Sequence, residues 1–300
     1  MRTSQHPVLS VVIPTYQGAG RILTVLRSLE KQTLQNFEVV VVIDGSTDDT
    51  EVVIREASLA LDLRLVIQEN KGRAGARNAG IHETRSNAIV FFDDDVTASD
   101  HTVATYYTHY EQGKAMVMGG IRQVCDVPND FLKYYAYLDA KWMSGVTDSG
   151  AGYMKVPYMS TANVFIRKDA FLEAGGFDDG LRDAEDFDLA VRLFDKGIKL
   201  YYDPSASVGH LLYGSVVEYV QRQRQYRAAR KVLRERNPLV LKYSSPPPGA
   251  GSTFKRLVFR ALSAPRYVRW IDAGVFGILP RRLRYRLYDA IMTANTMDFT

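Results

Sequence analysis

Cysteine is nearly missing from this chain of 300 residues, where Cys125 stands alone. A single thiol excludes an intramolecular disulfide and fits a reducing compartment, so Cys125 reads as a small core residue. Long apolar runs are missing as well. The longest, such as Val39–Ile43 and Ile89–Phe92, fall far short of the ~20 residues that cross a bilayer. Residues Met1 to Pro7 are polar, and Val8 to Ile13 is too short for a targeting core. No secretory leader is therefore expected, and the setting expected is cytoplasmic. Acid is scarce towards the end: from Leu211 to Thr300 there are 5 acidic residues against 17 basic ones. The first 210 residues carry 29 acidic and 21 basic, so the overall charge of +4 hides an acidic body joined to a basic tail. Such a tail calls for an anionic partner: a membrane surface, a nucleic acid or an acidic polymer. No internal repeat is visible.

What is present is an ordinary globular composition, 46% hydrophobic and 24% charged, with ample material for a core. The first hundred residues alternate strand-like and helix-like segments. Val8–Ile13, Phe37–Ile43, Leu63–Ile67 and Ala88–Phe92 read as buried strands. Helical spacing links Ile22, Val25, Leu26 and Leu29, then Val52 to Leu61, then Ala74–Glu83. This alternation predicts an α/β fold with a mainly parallel, doubly wound sheet. From Ser99 to Pro204 the pattern is mixed: a helix at Thr102–Tyr110, a strand at Ala115–Val124 and a helix at Phe131–Met143. A glycine-bearing loop (Ser144–Gly152), a strand (Tyr158–Ile166), a helix (Glu185–Phe194) and a strand (Lys199–Asp203) complete it. Ser244–Gly251 reads as a linker.

Asp93-Asp94-Asp95 ends the apolar run Ala88–Phe92. Like charges in contact repel and raise one another's pKa, and a hard divalent cation with oxygen ligands removes that cost. Ligands in open α/β sheets gather at the carboxyl ends of strands, where these acids sit. The alternative is an acidic turn leading into a helix capped by Thr97 or Ser99.

Other fragments fall in order around the triplet. Val-Val-Ile-Pro-Thr-Tyr (11–16) ends the first strand, and Val-Ile-Asp-Gly-Ser-Thr-Asp-Asp-Thr (42–50) ends the second. Glu-Asn-Lys-Gly-Arg-Ala-Gly-Ala-Arg-Asn-Ala-Gly (69–80) follows the third, and Ala-Glu-Asp-Phe-Asp-Leu-Ala-Val-Arg-Leu (184–193) lies downstream. Together, over about residues 8 to 236, they resemble the family 2 glycosyltransferases with the GT-A fold.

The resemblance implies residue roles. Pro14, Thr15 and Tyr16 correspond to a loop beside the base and ribose of a nucleotide sugar, with Asp44 contacting uracil. Arg73 corresponds to a basic residue near the diphosphate, although Arg77 is placed as well for it. Asp93 and Asp94 fall on the donor side, Asp94 at the ribose, while Asp95 meets a metal, Mg²⁺ or Mn²⁺. His210 matches a region where relatives carry a histidine near that metal. Asp186 corresponds to the general base of inverting relatives, with Glu185, Trp142 and Asn163 as looser acceptor or donor-sugar contacts. The plainer reading of Glu185, Asp186 and Asp188 is a first turn of acids favoured by the helix macrodipole. The implied activity is metal-dependent, inverting sugar transfer from a nucleotide-diphosphate sugar, UDP-linked, to a glycan, lipid-linked or small-molecule hydroxyl. The rivals are a nucleotidyltransferase of similar topology and a non-catalytic sugar-nucleotide-binding protein.

The expected organisation is a GT-A domain over 1–236, with a nucleotide half at 8–98 and an acceptor half at 99–236. A helical basic extension follows over 237–300. Arg222, Arg224, Arg227, Arg230, Lys231 and Arg234 decorate one helix, and basic, aromatic and leucine residues interleave from Phe254 to Tyr288. That pattern suits a peripheral segment on an anionic inner membrane face, and equally a set of helices packed on the body with solvated arginines. No nucleic acid is expected.

Overall fold

The computed structural model describes residues 6–124, 130–146, 150–211, 215–243 and 253–296. Cys125, the Ser244–Gly251 linker, residues 147–149 of the glycine-bearing loop and the side chains of Phe254, Lys255 and Arg256 lie outside that description.

Alternation of strand and helix runs as the apolar periods predict. It comprises β1 (Leu9–Thr15), α1 (Ile22–Glu30), β2 (Phe37–Asp44), α2 (Thr50–Glu56), β3 (Asp62–Gln68), α3 (Gly72–His82) and β4 (Ala88–Phe92). Strands β3, β2, β1 and β4 lie side by side in that order, all parallel. Both faces of β1 are covered, which is why it reads as a continuous apolar run. Leu9, Val11 and Ile13 pack on Ile22, Val25, Leu26 and Leu29 of α1, while Val12 meets Ala74 and Ile81 of α3. At Gly80 of α3 an added Cβ would lie 2.4 Å from the Val12 side chain, so this glycine lets the helix settle directly on the sheet.

Beyond β4 the sheet turns mixed. β5 (Val96–Ala98), α4 (Thr102–Glu111), β6 (Met116–Val124), α5 (Asp130–Val146) and β7 (Gly152–Tyr153) come first. β8 (Asn163–Arg167), α6 (Lys168–Glu173), α7 (Glu185–Asp195) and β9 (Tyr201–Leu211) follow. β8 runs antiparallel between β4 and β6, β6 runs parallel to β9, and β5 closes the edge antiparallel to β9. Two expectations change. Val96–Ala98 is a strand rather than a helix entry, since it pairs with β9, and α4 starts only at Thr102 with His101 before it. The first residues of the glycine-bearing loop finish α5, and at its end Gly152–Tyr153 pair with Tyr201–Tyr202.

The basic tail is helical. α8 (Val216–Arg236), α9 (Val240–Tyr243), α10 (Thr253–Leu262), α11 (Pro265–Asp272), a 3₁₀ turn (Val275–Ile278) and α12 (Arg281–Thr296) follow β9. A Ser215–Glu218 capping box starts α8, and Asp272 at the end of α11 accepts from the Val216 N–H at 2.6 Å. Val268, Ile271, Tyr285, Tyr288, Ile291 and Met292 form one apolar cluster with Phe131, Leu132, Tyr134, Val216 and Val220. Arg284 and Tyr288 both reach Asp130 of α5. These apolar positions of the tail thus pack on α5 and α8. Among the described residues, no helix is long and apolar enough to cross a membrane.

Candidate active site

Strand order reverses between β1 and β4, and a cleft of about 610 Å³ opens at their carboxyl ends. Pro14, Thr15, Tyr16, Asp44, Arg73 and the triplet Asp93–Asp95 all line it. Gly72 and Arg77 of α3, with Arg21, line it too.

The three consecutive carboxylates diverge, each towards a different partner. Asp93 pairs with Arg77 at 2.9 Å. Asp94 is buried, accepting from the Thr15 hydroxyl at 2.6 Å and from Arg21 Nε at 2.8 Å. Thr15 approaches so closely that a Cβ on Gly18 would lie 2.0 Å from its Oγ1. Asp95 has His210 Nε2 at 3.4 Å, a contact set by the β5–β9 register that opposes Val96 to His210. Burial pushes the Asp95 carboxyl up, His210 opposes this, and Asp93 and Asp94 add to it.

Asp93, Asp95 and His210 offer ligand atoms within 4.8 Å of one another. Asp95 Oδ1 and His210 Nδ1 are buried with no hydrogen-bond partner. An orphaned carboxylate oxygen beside a second carboxylate and an imidazole is the donor set of a divalent cation such as Mn²⁺ or Mg²⁺, so these residues fit the metal the resemblance implies.

Asp44 holds the other wall. Its Oδ1 accepts from Gln68 and from the Lys71 N–H, and its Oδ2 from the Gly72 N–H at 2.9 Å. It therefore ties down the loop entering α3, with roughly one of its four lone-pair sites left for a base or ribose. Tyr16 is half exposed over the cleft, and its carbonyl accepts from Arg21. Arg73 is 56% exposed and 3.5 Å from Asp183, a loose pairing that leaves it able to turn to a phosphate.

Arg77 is 2% exposed and grips Asp93 on one side and Glu185 on the other, at 2.9 and 2.7 Å. Glu185 is correspondingly buried and spent on Arg77 rather than turned to a sugar. Next to it, Asp186 is pushed up to about 7, by burial first and then by the Glu185 charge. Its Oδ1 accepts from the Phe187 N–H at 2.7 Å. Both acids begin α7 behind Ala184, which holds a left-handed φ of 67°. A non-glycine residue there costs about 1 kcal/mol or more, and such strain clusters at functional sites.

Asp186 does not line the donor cleft: it lies on the Glu185 side of Arg77, near Tyr158, whose phenol is pushed up by burial first and then by the Asp186 charge. The Tyr158 ring packs edge-on to Trp142, their centroids 4.2 Å apart, so Trp142 stands on the Asp186 side. Asn163 stands elsewhere. It is fully buried, donating to Gly120 and Ala206 carbonyls and accepting from Tyr106, so it ties β6, β8 and β9 and turns nothing to a sugar. Sequence reasoning missed Arg21 and had Arg77 only as an alternative to Arg73. A burial signal for Arg77 was present in its small neighbours Ala74, Gly75 and Ala76.

Comparison with known proteins identifies the family. The family model described as glycosyl transferase family 2 matches residues 10–175. A validoxylamine A glucosyltransferase of Streptomyces hygroscopicus subsp. jinggangensis is 32% identical over 227 residues, covering 66% of this chain and 54% of the relative. A pre-mycofactocin glycosyltransferase of Mycobacterium tuberculosis is 27% identical over 237 residues, covering 78% and 49%. The chain thus spans about half the length of these curated relatives. Among solved structures, a mannosyltransferase from Pyrobaculum calidifontis, in complex with GDP-Man and Mn²⁺, superposes with a TM-score of 0.66 at 17% identity. That match covers 97% of this chain and 85% of the other. S. aureus TarS 1–349 in complex with UDP-GlcNAc gives a TM-score of 0.57 at 16% identity, covering 96% and 89%. The chain belongs to glycosyl transferase family 2, on a GT-A fold.

Proposed function

We propose that this chain transfers a sugar from a nucleotide-diphosphate sugar, UDP-linked, to a hydroxyl of a glycan, lipid-linked or small-molecule acceptor, with inversion at the anomeric carbon. The observation that carries the reading is Arg77, whose one guanidinium fixes Asp93 in the donor cleft and Glu185 beside Asp186. Donor acids and base are thereby held in one rigid frame, as attack on a bound donor requires.

An acceptor hydroxyl is a weak nucleophile at neutral pH. A carboxylate raised to about 7 is matched to removing its proton. Asp186 takes the proton as the hydroxyl oxygen bonds to the anomeric carbon and the bond to the diphosphate breaks. Tyr16 covers the base, Asp44 and Asp94 hold the loops around the nucleoside, and Arg73 meets the phosphates. Asp93, Asp95 and His210 would hold Mg²⁺ or Mn²⁺, which when bound supplies positive charge for the departing diphosphate.

The relatives' names and the donors bound in the neighbouring structures support this donor class. Peripheral contact with an anionic membrane is part of the reading, supported by the charge of the tail. The test is release of free nucleotide diphosphate from a panel of sugar donors offered with mixed acceptors. Release from one or more donors is expected. No release from any, with donor still bound, would leave a binding protein.

A further inference from the structure

A second cavity, of about 580 Å³, lies between α5 and α12 and shares no lining residue with the donor cleft. Cations dominate it: Lys141 from α5, with Arg281, Arg282 and Arg286 from α12. Asp289 also lines it, but its carboxylate already accepts from the Tyr134 hydroxyl. Asp130, the nearby acid of α5, is taken by Arg284 at 2.7 Å. Among the described residues, no carboxylate pairs with Arg281, Arg282 or Arg286.

Among the described lining residues, Asp289 is the one carboxylate against four cations. α12 opens with Arg281 and Arg282 and has no acid in its first turn, so guanidiniums sit at the positive end of its macrodipole. The arrangement is unfavourable empty and favourable around an anion. The groups are also braced: the Arg281 guanidinium lies 5.3 Å over the Tyr285 ring, and Tyr285 leans on Tyr137 with centroids 5.5 Å apart. Planar guanidinium forks converging on one space match the oxygens of a phosphate. Along the same stretch of chain Leu283 is 54% exposed, and Ile278 in the preceding 3₁₀ turn is 91% exposed.

We propose that this cavity is a phosphate-ester site, fitted to a phospholipid headgroup whose phosphate enters among Arg281, Arg282 and Arg286. The site gives a location to the membrane contact proposed above and rests on that reading only for the source of the phosphate. Turnover is not its readout, so the two stand or fall separately.

The test uses full-length protein in two arms. One arm measures sedimentation with phosphatidylcholine vesicles containing phosphatidylglycerol, against pure phosphatidylcholine. The other measures soluble glycerol phosphate binding by calorimetry. The variant pair Arg282→Glu with Arg286→Glu is compared with Arg227→Glu with Arg230→Glu, an equal charge change on exposed arginines of α8. Loss of about tenfold in vesicle affinity with the first pair, and little with the second, is expected. If only glycerol phosphate binds, with the same selectivity, the site stands and its ligand is a soluble phosphate. Equal loss with both pairs means diffuse surface charge and overturns the site, as does binding in neither arm. Should the glutamate pair misfold by circular dichroism, Arg282→Gln with Arg286→Gln reads the same contrast.

Discussion

At the scale of single residues, the triplet divides its labour. Asp94 holds the loops, Asp93 holds Arg77, and Asp95 keeps a buried oxygen without a hydrogen-bond partner. Asp95→Ala is therefore expected to fold normally, since it removes a repelled charge, and to abolish the dependence of donor binding on Mn²⁺. Titration calorimetry with and without EDTA checks this, and unchanged donor affinity in EDTA for the wild type would sink the metal assignment. Asp186→Asn keeps shape but accepts no proton, so kcat should fall by roughly 10²–10⁴-fold with donor affinity little changed. The wild-type rate should itself decline below about pH 7. The same group has a stability signature. Its carboxyl titrates at about 7 when folded against an ordinary 3.8, so between those values the folded state holds a proton that the unfolded chain has lost. Wild-type stability therefore drops as pH rises through that window, and Asp186→Asn escapes the drop. Scanning calorimetry of the metal-free proteins should show the variant's Tm advantage growing from pH 4 to 7 and then levelling; a constant difference would remove burial as the cause. The acids were legible because adjacent like charges carry information by themselves. Asn163 was misjudged because nothing local tells a buried bridging amide from one that faces a ligand.

At the scale of elements, helix α3 decides which arginine does what. Small residues at 74, 75, 76 and 80 let it lie on β1 and β2, and this rotation sends Arg77 inwards and leaves Arg73 outside. Arg77→Met leaves Glu185 buried and unpaired and Asp93 without its cation, so a loss of about 3–5 kcal/mol is expected in urea unfolding. A loss below about 1 kcal/mol would mean that the bridge is dispensable. Gly18→Ala should act on a single tether, since its Cβ displaces Thr15 and unhooks Asp94. Weaker UDP binding with an unchanged rate at saturating donor is expected, and a pure kcat effect would contradict the tether. The parallel strands and their helices were readable from period alone. The contact of His210 with Asp95 was not, because it depends on the pairing of β5 with β9, two segments far apart in the chain.

At the scale of the whole molecule, the basic tail and the body are one folded object. Tyr285, Tyr288, Ile291 and Met292 are buried against α5 and α8, each worth about 1.5–3 kcal/mol of transfer free energy. Ending the chain after Tyr243 uncovers Phe131, Leu132, Val216 and Val220, so the shortened protein should aggregate or melt well below the intact one. The intact protein should show one calorimetric transition, and two separable transitions would mean that the tail folds apart. Sequence alone left this open, because one amphipathic pattern serves a helix lying on lipid and a helix lying on protein.

The placement of β9 also bears on how the molecule is made. β9 is inserted between β6 and β5, and Ala98 of β5 finds its partner only in Val208. At a synthesis rate of about 5–20 residues per second, a ribosome needs roughly 5–20 s to deliver that partner. For most of this interval the nascent chain carries Asp44 and the triplet Asp93–Asp95 with an unpaired strand edge, Asp186 arriving late in it and His210 only after it. With Asp186 as the proposed base and His210 at the proposed metal site, transfer chemistry would have to wait until the last strand is threaded into place.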